Sequence, residues 1–233
     1  RVLWELSRFE ALTADDLYDG LREIAWQEHI PANGTLWVDF NGRSKHIRNE
    51  TFGAQKSKDA IVDHLRNAVG SRPDIEKHRP DVRVHIRLHH GLVTAQIDLS
   101  GRPLHARTPG KHITDAPLKE NVAATLLHLA DWPRRALEGH TFLDPMCGSG
   151  TIALEALEIA HGTAPGIRRE HWGFSQWLKH RSDVWSMMKE QAGQAHQATD
   201  AMVYASDIDA KAIHTTKHNA TLLGLRGLQI RQT

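Results

Sequence analysis

Residues 142–151 read Phe-Leu-Asp-Pro-Met-Cys-Gly-Ser-Gly-Thr, and this stretch decides the fold. A short buried strand over 141–143 runs into a glycine-bearing turn. A helix follows, with Ile152, Ala153, Ala156, Leu157 and Ala160 along one face. Glycines at such a turn let a ligand approach the backbone, and the helix N-terminus presents N–H groups to an anion. In an open α/β sheet this is the ligand-facing crevice beyond a strand's carboxyl end. Asp144-Pro145 precedes the glycines and only Gly148 and Gly150 follow, which breaks the dinucleotide spacing G-x-G-x-x-G. A hydride-transferring dehydrogenase is therefore disfavoured.

A second strand over 202–207 ends in Asp207. An acid there can accept hydrogen bonds from both hydroxyls of a ribose. Asp-Pro-x-Cys-Gly-Ser-Gly-Thr, followed by Tyr-Ala-Ser-Asp-Ile-Asp at 204–209, resembles the class I S-adenosylmethionine methyltransferases, in the branch that methylates exocyclic amino groups of nucleic-acid bases. The resemblance implies S-adenosyl-L-methionine as cofactor, held along Asp144, Pro145, Met146, Cys147, Gly148, Ser149 and Gly150. It makes Asp207 the ribose ligand and Ile208 an adenine-packing residue. Asp209 is the expected N-cap of a helix to Leu223, whose usual pattern Asn219 and Ala220 complete. Cys147 sits where the turn needs a small side chain, so it is read as packing, not as a nucleophile.

Upstream, Asp115 is an N-cap and Pro117 a first-turn residue for a helix with Leu118, Val122, Ala123, Leu126, Leu127 and Ala130 as its core face. In the resembling enzymes an Ala-Pro-Leu-Lys-Glu helix walls the methionine end of the cofactor pocket. That places Pro117 and Leu118 among the cofactor contacts.

The first hundred residues read as α+β. Strands are expected over 2–10 and 36–40, and helices over 13–28 and roughly 52–65. Val82, Val84, Ile86 and Leu88 alternate with Arg83, His85, Arg87 and His89; His90-Gly91 turns the chain into a partner strand over 92–99. The hairpin shows one apolar and one basic face. The histidines lack acidic or cysteine partners at ligand spacing, so no metal site is expected. Arg43, Lys45 and Arg48 precede the second helix and Lys56 and Lys58 lie near its start, where cations oppose the helix dipole and can serve an external anion. The run Ile-Arg-Asn at 47–49, Phe-Gly-Ala at 52–54 and Lys-Asp-Ala-Ile-Val-Asp at 58–63, with the paired strands ending Asp-Leu-Ser-Gly at 98–101, resembles a THUMP domain. That resemblance implies RNA as partner, with Arg43, Lys45, Arg48, Lys56, Lys58, Arg83 and Arg87 as its contacts, joined by Arg107 from the following segment.

Charge supports a localised surface. Residues 1–34 carry a net −4, residues 35–111 a net +6 and residues 112–233 a net −1, while the whole chain is +1. One cysteine rules out an internal disulfide framework and fits a reducing, cytoplasmic setting. No apolar run reaches the roughly 18 residues that span a membrane, and there is no signal pattern. The aromatic, basic string at 165–177 can stack a base or pack an insertion; packing is favoured. Its Trp-Gly-Phe-Ser-x-Trp segment resembles the bacterial large-subunit rRNA guanine-N2 methyltransferases.

The expected architecture is therefore a THUMP-like RNA-binding domain over 1–101, with its N-terminal part missing, and a linker over 102–114. The first half of a Rossmann-like class I methyltransferase domain follows over 115–233. The Asn/Asp-Pro-Pro-aromatic signature of amino-group methylation is absent, so no catalytic residue is assigned. The resemblance implies methyl transfer to N2 of a guanine in 23S rRNA, with a second methyltransferase domain fused downstream. A tRNA guanine-N2 or DNA adenine-N6 enzyme and a non-catalytic RNA-binding protein with a relict cofactor fold are the rivals.

Overall fold

A computed structural model describes residues 1–108, 110–112, 118–195, 197 and 199–233. The chain divides into two compact units, one of residues 1–103 and 171–182, the other of 104–170 and 183–233.

The first unit is built on β1 (Leu3–Glu10), α1 (Ala14–Arg22), β2 (Thr35–Asn41), α2 (Glu50–Val69), β3 (Asp74–Ile75), β4 (Val82–His89) and β5 (Leu92–Asp98). Its sheet has the order β1-β5-β4-β2-β3. The β4–β5 hairpin forms as expected, with both turn residues at positive φ, His90 at 50° and Gly91 at 79°. Leu36, Val38, Phe40, Val82, Val84, Ile86, Val93 and Ile97 fill one core with Leu17, Leu21, Ile61 and Leu65 from the two helices. Alternation along three strands and helical spacing along α1 and α2 produce that core directly.

Two local expectations are corrected. α1 stops at Arg22 and not near Glu28, because the buried Trp26 donates from Nε1 to the Leu21 carbonyl at 2.7 Å and the chain tightens into a 3-10 turn over Trp26–Glu28. α2 begins at Glu50, because Asn49 accepts from the Phe52 N–H at 2.7 Å as its N-cap, and it ends at Gly70 in the left-handed region. The string at 171–182 belongs to this unit. Trp177 packs against the core, stacks on His29 at 5.9 Å and donates to its Nδ1 at 3.0 Å, which is the packing role.

The second unit holds α3 (Glu120–Leu129), α4 (Trp132–Leu137), β6 (Phe142–Asp144), α5 (Thr151–Ala160), α6 (Ser182–Gln194), β7 (Val203–Asp207), α7 (Ala210–Leu223) and β8 (Leu228–Gln232). Its three strands are parallel in the order β6-β7-β8. Ala153, Ala156, Leu157 and Ala160 of α5 pack on Val203 and Ala205 of β7 with Ile213 of α7. Arg107, Lys111 and His112, expected in the linker, are held in this unit by polar contacts. The expected helix start at Asp115 and Pro117 lies outside the described residues; α3 itself begins at Glu120. Its core face is narrower than its spacing suggests. Ala123 and Leu127 are buried, whereas Leu118, Val122 and Leu126 are exposed. α3 packs on α5 and α4, and Val122 and Leu126 on its other side are exposed.

Candidate functional site

The turn after β6 is fixed from every side. The Asp144 carboxylate accepts from the Met146 N–H at 3.3 Å and from the Ala153 N–H in the first turn of α5. The expected anion at that helix end is thus supplied in part by the chain's own carboxylate. Burial pushes the Asp144 carboxyl upward, and these N–H groups oppose it. The Cys147 N–H donates to the Ser206 carbonyl of β7 at 2.9 Å, tying the turn to the neighbouring strand. The Cys147 side chain is buried, 3.7 Å from the Thr216 hydroxyl, and burial raises its thiol, as fits a packing residue.

The two glycines do different things. Gly150 sits at φ 80°, and a Cβ there would lie 2.7 Å from Thr216 Cγ2, so both backbone and packing demand glycine. Gly148 sits at φ 54°, and a Cβ there would meet nothing within 4 Å. Its outer side is open to an approaching ligand.

Asp207 ends β7 beside this opening. Its Oδ2 accepts from the Gly148 N–H and its Oδ1 from the Asp209 N–H, each at 2.9 Å. These two donors, Asp209 first, hold its carboxyl below the usual carboxylate range. An ionised carboxylate offers about four acceptor positions, and the N–H groups of Asp209, Gly148 and Ile208 act on this one. Ile208 next to it is 81% exposed and Met146 across the turn is 84% exposed. Pro145 continues the turn between Asp144 and Met146, and the Ser149 hydroxyl lies 3.3 Å from that of Thr151. Leu118 is partly exposed ahead of α3, and Pro117 lies outside the described residues.

Sequence reading missed how the turn is braced from α7. Thr216 donates to the Gly148 carbonyl at 2.8 Å. The buried Asn219 accepts from the His112 N–H at 2.8 Å and donates to the carbonyls of His112 at 2.9 Å and Ser149 at 3.0 Å. Thr216 and Asn219 stand one helical turn apart, and that spacing of two polar residues on a face bearing Ala212, Ile213 and Leu223 was the available signal. Arg107 and Lys111 are secured further: Arg107 pairs with the buried Glu155, and Glu120 accepts from the Arg107 N–H at 2.7 Å and pairs with Lys111 at 2.6 Å. Burial pushes the Glu155 carboxyl up to about 7 against the pull of Arg107.

Arg107, expected as an RNA contact, has its guanidinium paired with Glu155. The cations of the first unit divide. Lys56 pairs with Asp15 at 3.0 Å and lies over the Tyr18 ring; Lys58 pairs with Asp59 at 2.5 Å; Arg83 pairs with Asp39 at 2.8 Å. The expected basic face of the hairpin is accordingly neutralised around Asp39, which also receives His85. Arg43, Lys45, Arg48 and Arg87 are exposed and form no ion pair among the described residues. Among those residues no three His, Cys, Asp or Glu side chains converge as metal ligands would, and no helix is long and apolar enough to cross a membrane.

Residues 109–232 match the family model of the RMKL-like methyltransferase domain, and residues 11–98 match that of the THUMP domain. The chain belongs to the RMKL-like methyltransferase family. Relatives include the ribosomal RNA large subunit methyltransferase K/L of Pseudomonas putida strain W619, 47% identical over 97% of this chain and 31% of the relative. The enzyme of that name from Ectopseudomonas mendocina strain ymp is 44% identical over 97% of this chain and 32% of the relative. The chain thus spans about a third of the length of these relatives. Among solved structures, SMU.472 in complex with SAH superposes with a TM-score of 0.83 at 25% identity, covering all of this chain and 61% of that one. A predicted N6-adenine-specific DNA methylase from Listeria monocytogenes gives 0.81 at 27% identity, covering all of this chain and 60% of that one.

Proposed function

We propose that this chain holds the cofactor and part of the RNA in an S-adenosylmethionine-dependent RNA methyltransferase, and that the methyl group goes to N2 of a guanine in 23S rRNA. The observation that carries the cofactor reading is the Asp207 carboxylate. Backbone donors fix it and hold its carboxyl low, and it keeps acceptor capacity for a ribose hydroxyl. The open side of Gly148 admits a ligand to the backbone, and exposed Ile208 offers an apolar surface of the kind an adenine ring covers. Asp144 to Gly150 are assigned to the floor, and Leu118 and Pro117 to the methionine end. S-adenosylmethionine, when bound, supplies an electrophilic methyl group on a sulfonium. The chain's own residues bind and orient it; the group that receives the target amine is not assigned to this sequence.

The RNA assignment rests on the THUMP match and on the unpaired cations Arg43, Lys45, Arg48 and Arg87 of the first unit. The rRNA target rests on the names of the relatives and on the Trp-Gly-Phe-Ser-x-Trp string.

The test is calorimetric titration of the chain with S-adenosylhomocysteine beside Asp207→Ala. Saturable binding that the substitution removes is the expected result. Equal binding by the folded variant would refute the ribose assignment.

A further inference from the structure

The first unit contains a groove of about 530 Å³ at the outer edge of its sheet, between β2, the first half of α2 and β3. Nothing in the cofactor reading uses it. It exists because β3 is only two residues long. β3 pairs with β2 at Thr35 and Leu36 and then leaves, after Asp74 donates to the Gly34 carbonyl and Glu76 to the Leu36 carbonyl, both at 3.2 Å. Backbone groups alternate in direction along a strand. Those of residues 34 and 36 point toward β3, so those of Val38 and Phe40 point the same way, into the groove. They have no hydrogen-bond partner among the described residues. This is why Val38 and Phe40 line the groove although their side chains are buried on the core face.

Both signs of charge line the groove: two lysines, of which Lys58 is paired with Asp59, and two carboxylates. Lys58 from α2 and Lys77 after β3 line the groove, with Lys77 lying 5.7 Å from the Trp37 ring centroid. The loop 42–49, which joins the end of β2 to α2, carries Arg43, Lys45 and Arg48. Of the lining carboxylates, Asp39 is neutralised by Arg83, and Glu50 stands at the start of α2.

We propose that this groove takes an unpaired base from a single-stranded stretch of RNA, read by the Val38 carbonyl and the Phe40 N–H, with Lys58 and Lys77 meeting its flanking phosphates. The inference rests on reading the first unit as an RNA holder and adds which form of RNA it holds. A carbonyl and an N–H two residues apart on one strand edge offer an acceptor and a donor side by side, which complements the Watson–Crick edge of a base. That edge is free only where the base is unpaired. The volume lies within the range of small-ligand sites, and Trp37 supplies an aromatic wall of the kind that favours bases. An extended peptide fits less well. The open edge offers the pairing groups of only two residues before Gly42 turns the chain.

The test compares a fluorescent single-stranded decamer of mixed sequence with its blunt duplex, by anisotropy, on the intact chain. Wild type should favour the single strand. Lys58→Ala with Lys77→Ala, and separately the exposed-site change Ile75→Glu, should weaken single-strand binding about tenfold, the scale of one lost base contact, and weaken duplex binding by less. In amide-resolved NMR, Phe40 should shift on adding the decamer. Binding of the duplex alone, or single-strand binding untouched by the groove variants in folded protein, would overturn the groove assignment and leave RNA binding standing. Binding of neither RNA would overturn both. Arg43, Lys45 and Arg48 changed together to Glu should weaken both forms, which separates the general surface from the groove.

Discussion

Asn219→Ala isolates the brace behind the cofactor turn. The side chain is 1% exposed and makes three hydrogen bonds, of 2.8, 2.9 and 3.0 Å, to backbone groups of His112 and Ser149. Each is worth about 1 kcal/mol net, and more if the abandoned group stays dry. The substitution should therefore cost about 3 kcal/mol. For a domain of this size that is a fall in melting temperature of roughly 10–20 °C. The loss should be local in its first effect. The His112 N–H loses its acceptor, so its hydrogen exchange should accelerate, and the Ser149 carbonyl no longer anchors the turn that carries Gly148. Lys217→Ala, exposed on the same helix, should change stability by less than about 0.5 kcal/mol. Thermal unfolding by circular dichroism and amide exchange at His112 are the measurements. A melting temperature within about 2 °C of wild type, with His112 protection retained, would show that the three bonds contribute nothing and refute the reasoning.

The two glycines of the turn should respond differently. Gly150→Ala meets both the left-handed backbone and the 2.7 Å approach to Thr216, so it should lose about 2–4 kcal/mol in urea unfolding. Gly148→Ala meets only the backbone cost of about 1–2 kcal/mol and should remain folded while S-adenosylhomocysteine binding weakens; equal stability losses would sink the distinction. Glu155 predicts a pH dependence. Its carboxyl is raised by folding from 4.5 to about 7, so the native state binds more protons than the unfolded chain across that window. Stability should fall as pH rises from about 4.5 to 7 and level off beyond. Glu155→Gln should flatten this segment of the profile, and a wild-type slope of opposite sign would mean that Arg107 keeps the carboxyl ionised.

What the sequence by itself determined was set by local pattern. The alternation of Val82 to Leu88, the His90-Gly91 turn and the Thr13 cap each act within a few residues, so the hairpin and the start of α1 were readable without a partner in view. The order Asp144 to Gly150 likewise marks a strand, a tight turn and a helix, because glycine adopts the positive φ of the turn at least cost. The tertiary structure alone decided where charge and hydrogen bonds close over long separations. Trp26 ends α1 by reaching the Leu21 carbonyl, Asn219 finds His112 across 107 residues, and Glu155 takes Arg107 across 48. A cation on a chain reads as available for phosphate until a fold brings a carboxylate to it, as happened to Arg107 and Arg83 and not to Arg43, Lys45 or Arg48. The open edge of β2 belongs to the same class: it arises from β3 ending after two residues, and pairing between strands is a property of their meeting, which no single strand carries in its own residues.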